Sequence, residues 1–200
     1  SWLTFDATTG VLSGTPLNAN VGDNSVVITV GDGTTTVTDS FTITVANTND
    51  APTITSTAVT AATEDSLYTY AVTASDVDAG DTVTLSGTTI PSWMTFSSTS
   101  VLSGTPTNAE VGSHAVVITA TDASGATATD SFTIVVANTN DAPTITSTAV
   151  TSATEDSAYT YTVTASDVDV GDTLTMTGTT VPSWLTFDAT TGVLSGTPLN

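Results

Sequence analysis

The sequence predicts an all-β protein, built as tandem antiparallel β-sandwiches of about 91 residues. Three observations carry that expectation. Trp2, Trp93 and Trp184 open copies of one segment at intervals of 91 residues. Apolar and Thr or Ser residues alternate in short runs about ten residues apart, the period of half-buried strands. No stretch carries the 3.6-residue apolar spacing and caps of a helix. A period near 90 residues exceeds the roughly 20–50 of a solenoid unit and suits an autonomous domain.

The repeat boundary falls at Asn47-Thr48-Asn49-Asp50-Ala51-Pro52, which returns unchanged as Asn138-Thr139-Asn140-Asp141-Ala142-Pro143. Each copy lies between two strand-like runs and reads as a short, stiff joint, because its Pro fixes φ and removes a donor. Residues 1–50 are then the C-terminal part of one domain, 51–141 a complete domain and 142–200 the N-terminal part of another. Residues 183–200 repeat 1–18 without a change. This suggests a window on a long array of near-identical modules; the alternative is head-to-tail completion of terminal fragments from neighbouring chains.

Within 51–141 the expected strands are 53–60, 67–74, 82–86, 93–96, 101–102, 115–120 and 132–136. The first alternates Ile54 against Thr, and the second places Tyr68, Tyr70, Val72 and Ala74 on one face. Val83 and Leu85 centre the third; the fourth and fifth flank a turn. The last points Phe132, Ile134 and Val136 inward. Turns are expected at Gly80, Gly87, Gly104, Gly112 and Gly125. Seven such strands, each with one apolar face, make two antiparallel sheets packed face to face. Thr suits the water-facing side, since branched side chains favour strands. Trp93 and Phe96 read as core.

Fifty of the 200 residues are Thr, none is Lys, Arg or Cys, and the formal charge is −20. Nucleic acid is excluded as a partner, because its binding is dominated by Lys and Arg contacts to phosphate. No disulfide is available, and no 18-residue apolar run can span a membrane. His114 is the sole His, and its first-copy counterpart is Asn24, so it reads as a turn-exposed residue without a repeated role. The acids recur at every joint, which a single glycosidase site would not require. The chain is accordingly expected not to be an enzyme.

Those acids fall at strand ends and loops. Asp76, Asp78 and Asp81 form an Asp-x-Asp-x-x-Asp cluster repeated at Asp167, Asp169 and Asp172; Asp122 ends the strand after Ala115, as Asp32 does in the first copy. Glu64 recurs as Glu155, and Glu110 stands where the first copy has Asn20. Any two carboxylates about 4 Å apart repel by roughly 4 kcal/mol at an effective dielectric of 20. With no Lys or Arg, a bound cation is the available countercharge, and an all-oxygen donor set favours Ca²⁺.

The chain resembles bacterial cadherin-like modules of the dystroglycan-type and putative-Ig group, found in long surface and secreted proteins. The resemblance rests on Ala120-Thr121-Asp122, on the 132–136 strand followed by Asn138-x-Asn140-Asp141-Ala142-Pro143, and on Ala74-x-Asp76-x-Asp78. It is reinforced by Trp93-Met94-Thr95-Phe96 leading to Val101-Leu102-Ser103-Gly104-Thr105-Pro106, and by the equivalent stretch from Trp184 to Pro198. It covers all three copies. It implies a cadherin-like or Ig-like sandwich with Ca²⁺ held between successive domains. At the first joint the implied ligands are Asn47, Asn49, Asp50, Asp76, Asp78 and Asp122. At the second they are Glu64, Glu110, Asn138, Asn140, Asp141, Asp167 and Asp169. The joint begins with Asn where the family has Asp, and the family's Asp-Arg-Glu segment is replaced, leaving Glu110 or Asn20; fewer or weaker ions per joint should follow.

The expected function is a structural spacer in a long extracellular adhesin, stalk or filament, stiffened by calcium at its joints. Its partners would be neighbouring repeats of the same chain, with homotypic filament assembly also open. The alternatives are an adhesive or carbohydrate-binding recognition module, or a self-assembling extracellular filament subunit.

Overall fold

A computed structural model describes residues 1–200. Its regular secondary structure is almost all β-strand, as expected. Two three-residue 3₁₀ turns, Asn18–Asn20 and Asn108–Glu110, are its only helical segments. By contacts the chain divides into two compact units. One comprises Ser1–Thr60, Thr69–Gly104 and His114–Ile134; the other comprises Ala61–Tyr68, Thr105–Ser113 and Val135–Asn200.

In the first unit, Leu3–Asp6 pairs with Val11–Gly14, and Gly22–Gly31 forms a long antiparallel hairpin with Thr36–Val45. Thr53–Ile54 pairs with Ala74–Ser75, Met94–Phe96 with Val101–Gly104, and Thr84–Thr89 with the strand ending at Thr121. The core follows the predicted alternation. Tyr70, Val72, Met94, Leu102, Val116, Ile118, Ala120 and Ile134 are buried while their sequence neighbours largely face water. Burying each Val, Leu or Ile side chain contributes about 1.5–3 kcal/mol. Phe132 is half-buried and meets Tyr70 edge to face, ring centres 5.8 Å apart. Trp93 and Phe96 are half-buried rather than fully enclosed.

Gly104 explains how the Trp strand fits. A Cβ at that position would lie 2.3 Å from the Trp93 carbonyl oxygen, so only glycine permits the two strands to approach. Gly14 faces Trp2 in the same way in the first copy. His114 is not turn-exposed. It lies half-buried within Gly112–Thr121, edge-on to Trp93 at 5.8 Å. Its counterpart Asn24 accepts a hydrogen bond from Trp2 Nε1 at 3.1 Å. Both positions therefore flank the Trp of their own repeat, a packing role that alternation alone does not reveal.

In the second unit, Ala61–Thr63 pairs with Val135–Ala137 in parallel, a departure from the expected antiparallel ladders. The segment read as one strand over 53–60 is strand only at Thr53–Ile54, and strand structure resumes at Ala61. Alternation marks a face and not a pairing partner, so it could not disclose this break. Thr144–Ile145 pairs with Ala165–Ser166, and Val193–Gly196 lies between Tyr159–Thr162 and Leu185–Asp188. These ladders reproduce the register found 91 residues earlier: Thr53 faces Ser75, and Thr144 faces Ser166. The Tyr–Ser tie is reproduced too, with Tyr70 and Tyr161 hydroxyls 2.8 Å from Ser56 and Ser147. No helix is long and apolar enough to cross a membrane.

Candidate cation sites at the joints

The Asp-x-Asp-x-x-Asp segment folds onto itself. Asp78 N–H donates to Asp76 Oδ1 at 2.9 Å, and Asp81 N–H donates to the Asp78 carbonyl at 3.1 Å. Gly80, at φ +92, supplies the left-handed residue that closes the turn. The later copy repeats each bond, with Asp169 N–H on Asp167 Oδ1 at 3.0 Å and Asp172 N–H on the Asp169 carbonyl at 3.3 Å. In each copy one carboxylate oxygen per residue converges within 4.8 Å of the others: Asp76, Asp78 and Asp81, then Asp167, Asp169 and Asp172.

The joint segment lies against this turn. Asp50 N–H donates to Asp78 Oδ2 at 2.8 Å, and Asp141 N–H donates to Asp169 Oδ2 at 2.7 Å. Asn49 Nδ2 reaches Asp122 Oδ2 at 2.8 Å and the Asp50 carbonyl at 2.9 Å. Asp122 is otherwise held by the Ala126 N–H at 2.8 Å, within a tight turn. Five of the six residues expected at the first joint are thus linked around Asp78 and Asp122, and the Asn47 amide adds to the lowering of the Asp78 pKa. Asp81, noted in the sequence cluster but not among the expected ligands, joins them.

At the second joint, Glu64 is the decisive residue. It follows the parallel strand Ala61–Thr63, and its N–H donates to the Ala137 carbonyl at 3.1 Å. Asp65 adopts φ +57, which Asp tolerates better than most residues, and its N–H bonds the Pro106 carbonyl at 2.8 Å. That turn directs the Glu64 side chain inward, where the residue is 1% exposed. Oε1 accepts from Thr139 N–H at 2.6 Å, while Oε2 is buried without a hydrogen-bond partner. Glu64, Asp141 and Asp169 each bring a carboxylate oxygen within 4.8 Å of the others. Asn140 Nδ2 holds the Asp141 carbonyl at 2.7 Å, and the Asn138 amide adds to the lowering of the Asp169 pKa. Glu110 is engaged elsewhere: its Oε2 accepts from Thr107 N–H at 2.8 Å and Oγ1 at 2.7 Å, a capping box on its own turn.

Hydrogen bonding keeps the central acids ionised. The Asp50 N–H, then the Asn18 amide, hold Asp78 below the usual carboxylate range; the Asn49 amide does so for Asp122, and the Asp141 N–H for Asp169. Burial, with Asp122, Asp76 and Asp78 nearby, pushes Asp81 up. Asp76 Oδ2 is also buried without a hydrogen-bond partner. Buried carboxylate oxygens without donors, beside other carboxylates in a chain lacking Lys and Arg, fit a hard divalent cation.

Two residues that spacing did not single out complete the arrangement. Asn18 Nδ2 donates to Asp50 Oδ2 at 2.9 Å and to Asp78 Oδ1 at 3.0 Å. Asn108 Nδ2 donates to Asp169 Oδ1 at 2.7 Å. Their shared place in Leu17-Asn18-Ala19-Asn20 and Thr107-Asn108-Ala109-Glu110 is the signal that could have identified them.

The sequence profile of the family described as "Putative Ig domain" matches residues 1–46, 51–137 and 142–200. The chain belongs to the Putative Ig domain family. Curated relatives of this Putative Ig domain chain include the serine-rich adhesin for platelets of Staphylococcus aureus. In strain MRSA252 it is 35% identical over 151 residues, which are 75% of this chain and 11% of the adhesin. In strain USA300 it is again 35% identical over 151 residues, covering 6% of the adhesin. The chain therefore spans about a tenth or less of the length of these relatives.

The Putative Ig domain repeats share their fold with cadherin extracellular domains. Protocadherin gamma B2 extracellular cadherin domains 1–5 superimpose with a TM-score of 0.61 at 17% identity, over 98% of this chain and 43% of that one. The protocadherin gammaB4 extracellular domain gives 0.56 at 19% identity, over 100% and 38%.

Proposed function

We propose that this chain is a spacer array from a long extracellular or cell-surface protein of adhesin type, whose joints are clasped by calcium. In this reading, modules 1–50, 51–141 and 142–200 meet at the two Asn-Thr-Asn-Asp-Ala-Pro segments, and the family profile breaks at the same places. The observation that carries the cation is Glu64: a buried carboxylate whose Oε2 has no donor, beside Asp141 and Asp169. Glu64, Asn138, Asn140, Asp141, Asp167 and Asp169 would hold the ion at the second joint, with Asp172 beside them. Asn47, Asn49, Asp50, Asp76, Asp78 and Asp122, with Asp81, would do so at the first. A bound divalent cation supplies the charge that this chain lacks.

The spacer reading also draws on the position of the aromatics. Tyr68 and Tyr70 are buried, and Trp93, Phe96 and Phe132 are half-buried, so residues 51–141 present no exposed aromatic row for a ligand. A role in spacing rather than catalysis agrees with adhesin relatives and with acids repeated at each joint. The test is small-angle scattering of the 200-residue protein in calcium and in chelator, with digestion alongside by elastase, which cuts after small residues such as Ala46 and Ala137 at the edges of the joints. Chelation should loosen the joints and speed cleavage between modules. An unchanged scattering profile and cleavage rate would refute the clasp.

A further inference from the structure

Asn18 and Asn108 hold equivalent positions, each the first residue of a 3₁₀ turn. Both are half-buried. Each extends its amide to an Asp far along the chain, Asp78 or Asp169, whose other oxygen already accepts a joint N–H. An ionised carboxylate can only accept hydrogen bonds, so the amide must present its NH₂ edge. Asn18 satisfies two carboxylates at once, those of Asp50 and Asp78. In a chain without Lys or Arg, these amide hydrogens are partial positive charges brought to the acids by another turn.

We propose that Asn18 and Asn108 are two-way latch residues of the joint: Nδ2 ties the turn to the Asp carboxylate when no cation is there, and Oδ1 becomes a neutral ligand when one is. The inference rests on the joint-cation reading above. An NH₂ donor and a cation compete for the same oxygen of Asp78 or Asp169, so the two arrangements are alternatives. Turning the side-chain amide over exchanges nitrogen for oxygen at nearly the same place, and amide oxygens are ordinary calcium ligands. Asn is suited to both states. Asp would bind the ion more strongly but, having no donor, would repel Asp78 or Asp169 without it.

The test uses the 200-residue protein and two double variants, N18D/N108D and N18A/N108A. Hydrogen exchange at the Asp50 and Asp141 amides is followed in chelator, and calcium chloride is titrated calorimetrically. Both variants should lose on the order of tenfold protection at those amides in chelator. The Asp pair should bind calcium roughly tenfold more tightly than the parent and the Ala pair more weakly, since affinity follows ligand charge. Parental protection in the Asp pair, or calcium binding by that pair no tighter than the parent's, would overturn the latch. Failure of the parent protein to bind calcium at all would overturn the joint-cation reading, whatever the exchange of the variants.

Discussion

Replacing Glu64 by Gln separates the charge of this residue from its shape. Glu64 Oε1 already accepts from Thr139 N–H at 2.6 Å, a bond that the Gln carbonyl can keep. The change falls on Oε2, which has no donor and lies among the carboxylates of Asp141 and Asp169. An NH₂ in its place removes one negative charge and offers two hydrogens to those acids. Hydrogen bonds to charged groups are worth about 1.5–3 kcal/mol, so in chelator E64Q should be more stable than the parent by about that amount. Calcium works the other way and narrows that gap by about 1.3 kcal/mol. At a concentration about 100 times its Kd, the parent gains about 2.7 kcal/mol from the ion; a variant binding tenfold more weakly gains only about 1.4 kcal/mol. Urea unfolding followed by Trp fluorescence, in chelator and in calcium, reads both quantities. Loss of stability by E64Q in chelator would refute the account of Oε2 as an unpaired oxygen among like charges. Retention of the full calcium increment would refute Glu64 as a ligand.

Other consequences follow from the same geometry. Leu102→Ala, at a fully enclosed position, should cost about 2–5 kcal/mol in urea unfolding, whereas Leu12→Ala at the half-buried first-copy position should cost less. Gly104→Ala should destabilise by about 1–3 kcal/mol, because its Cβ meets the Trp93 carbonyl at 2.3 Å, and should alter the Trp fluorescence spectrum. Asp78, Asp122 and Asp169 have folded-state pKa values below their unfolded ones. Their contribution is therefore present above about pH 3.9 and lost as pH falls through the lower folded values, as acid titration of stability in chelator would record. Asp81 has the opposite sign: its folded carboxyl is raised, so its charge is unfavourable near neutrality and is relieved as pH falls, and D81N should remove that component of the titration.

The period of the sequence determined the repeat, and its alternation determined most of the inward residues. Tyr68, Tyr70, Val72, Ile134 and Val136 are buried as the two-residue period requires, because a strand's side chains can only point to one face or the other. The Asp-x-Asp-x-x-Asp turn was legible for a similar local reason, since its backbone bonds are made within six residues. Pairing and long-range contact were decided by the tertiary structure alone. Nothing local distinguishes a parallel partner for Ala61–Thr63, or shows that strand 53–60 breaks after Ile54. The same holds for Asn18 and Asn108, whose Asp partners lie 60 and 61 residues away. Glu110 shows the converse. The family resemblance implied a ligand, and the fold gives its Oε2 a cap on Thr107 three residues off. Residue type and spacing state what a side chain can bond; only the fold brings one of its possible partners within 3 Å.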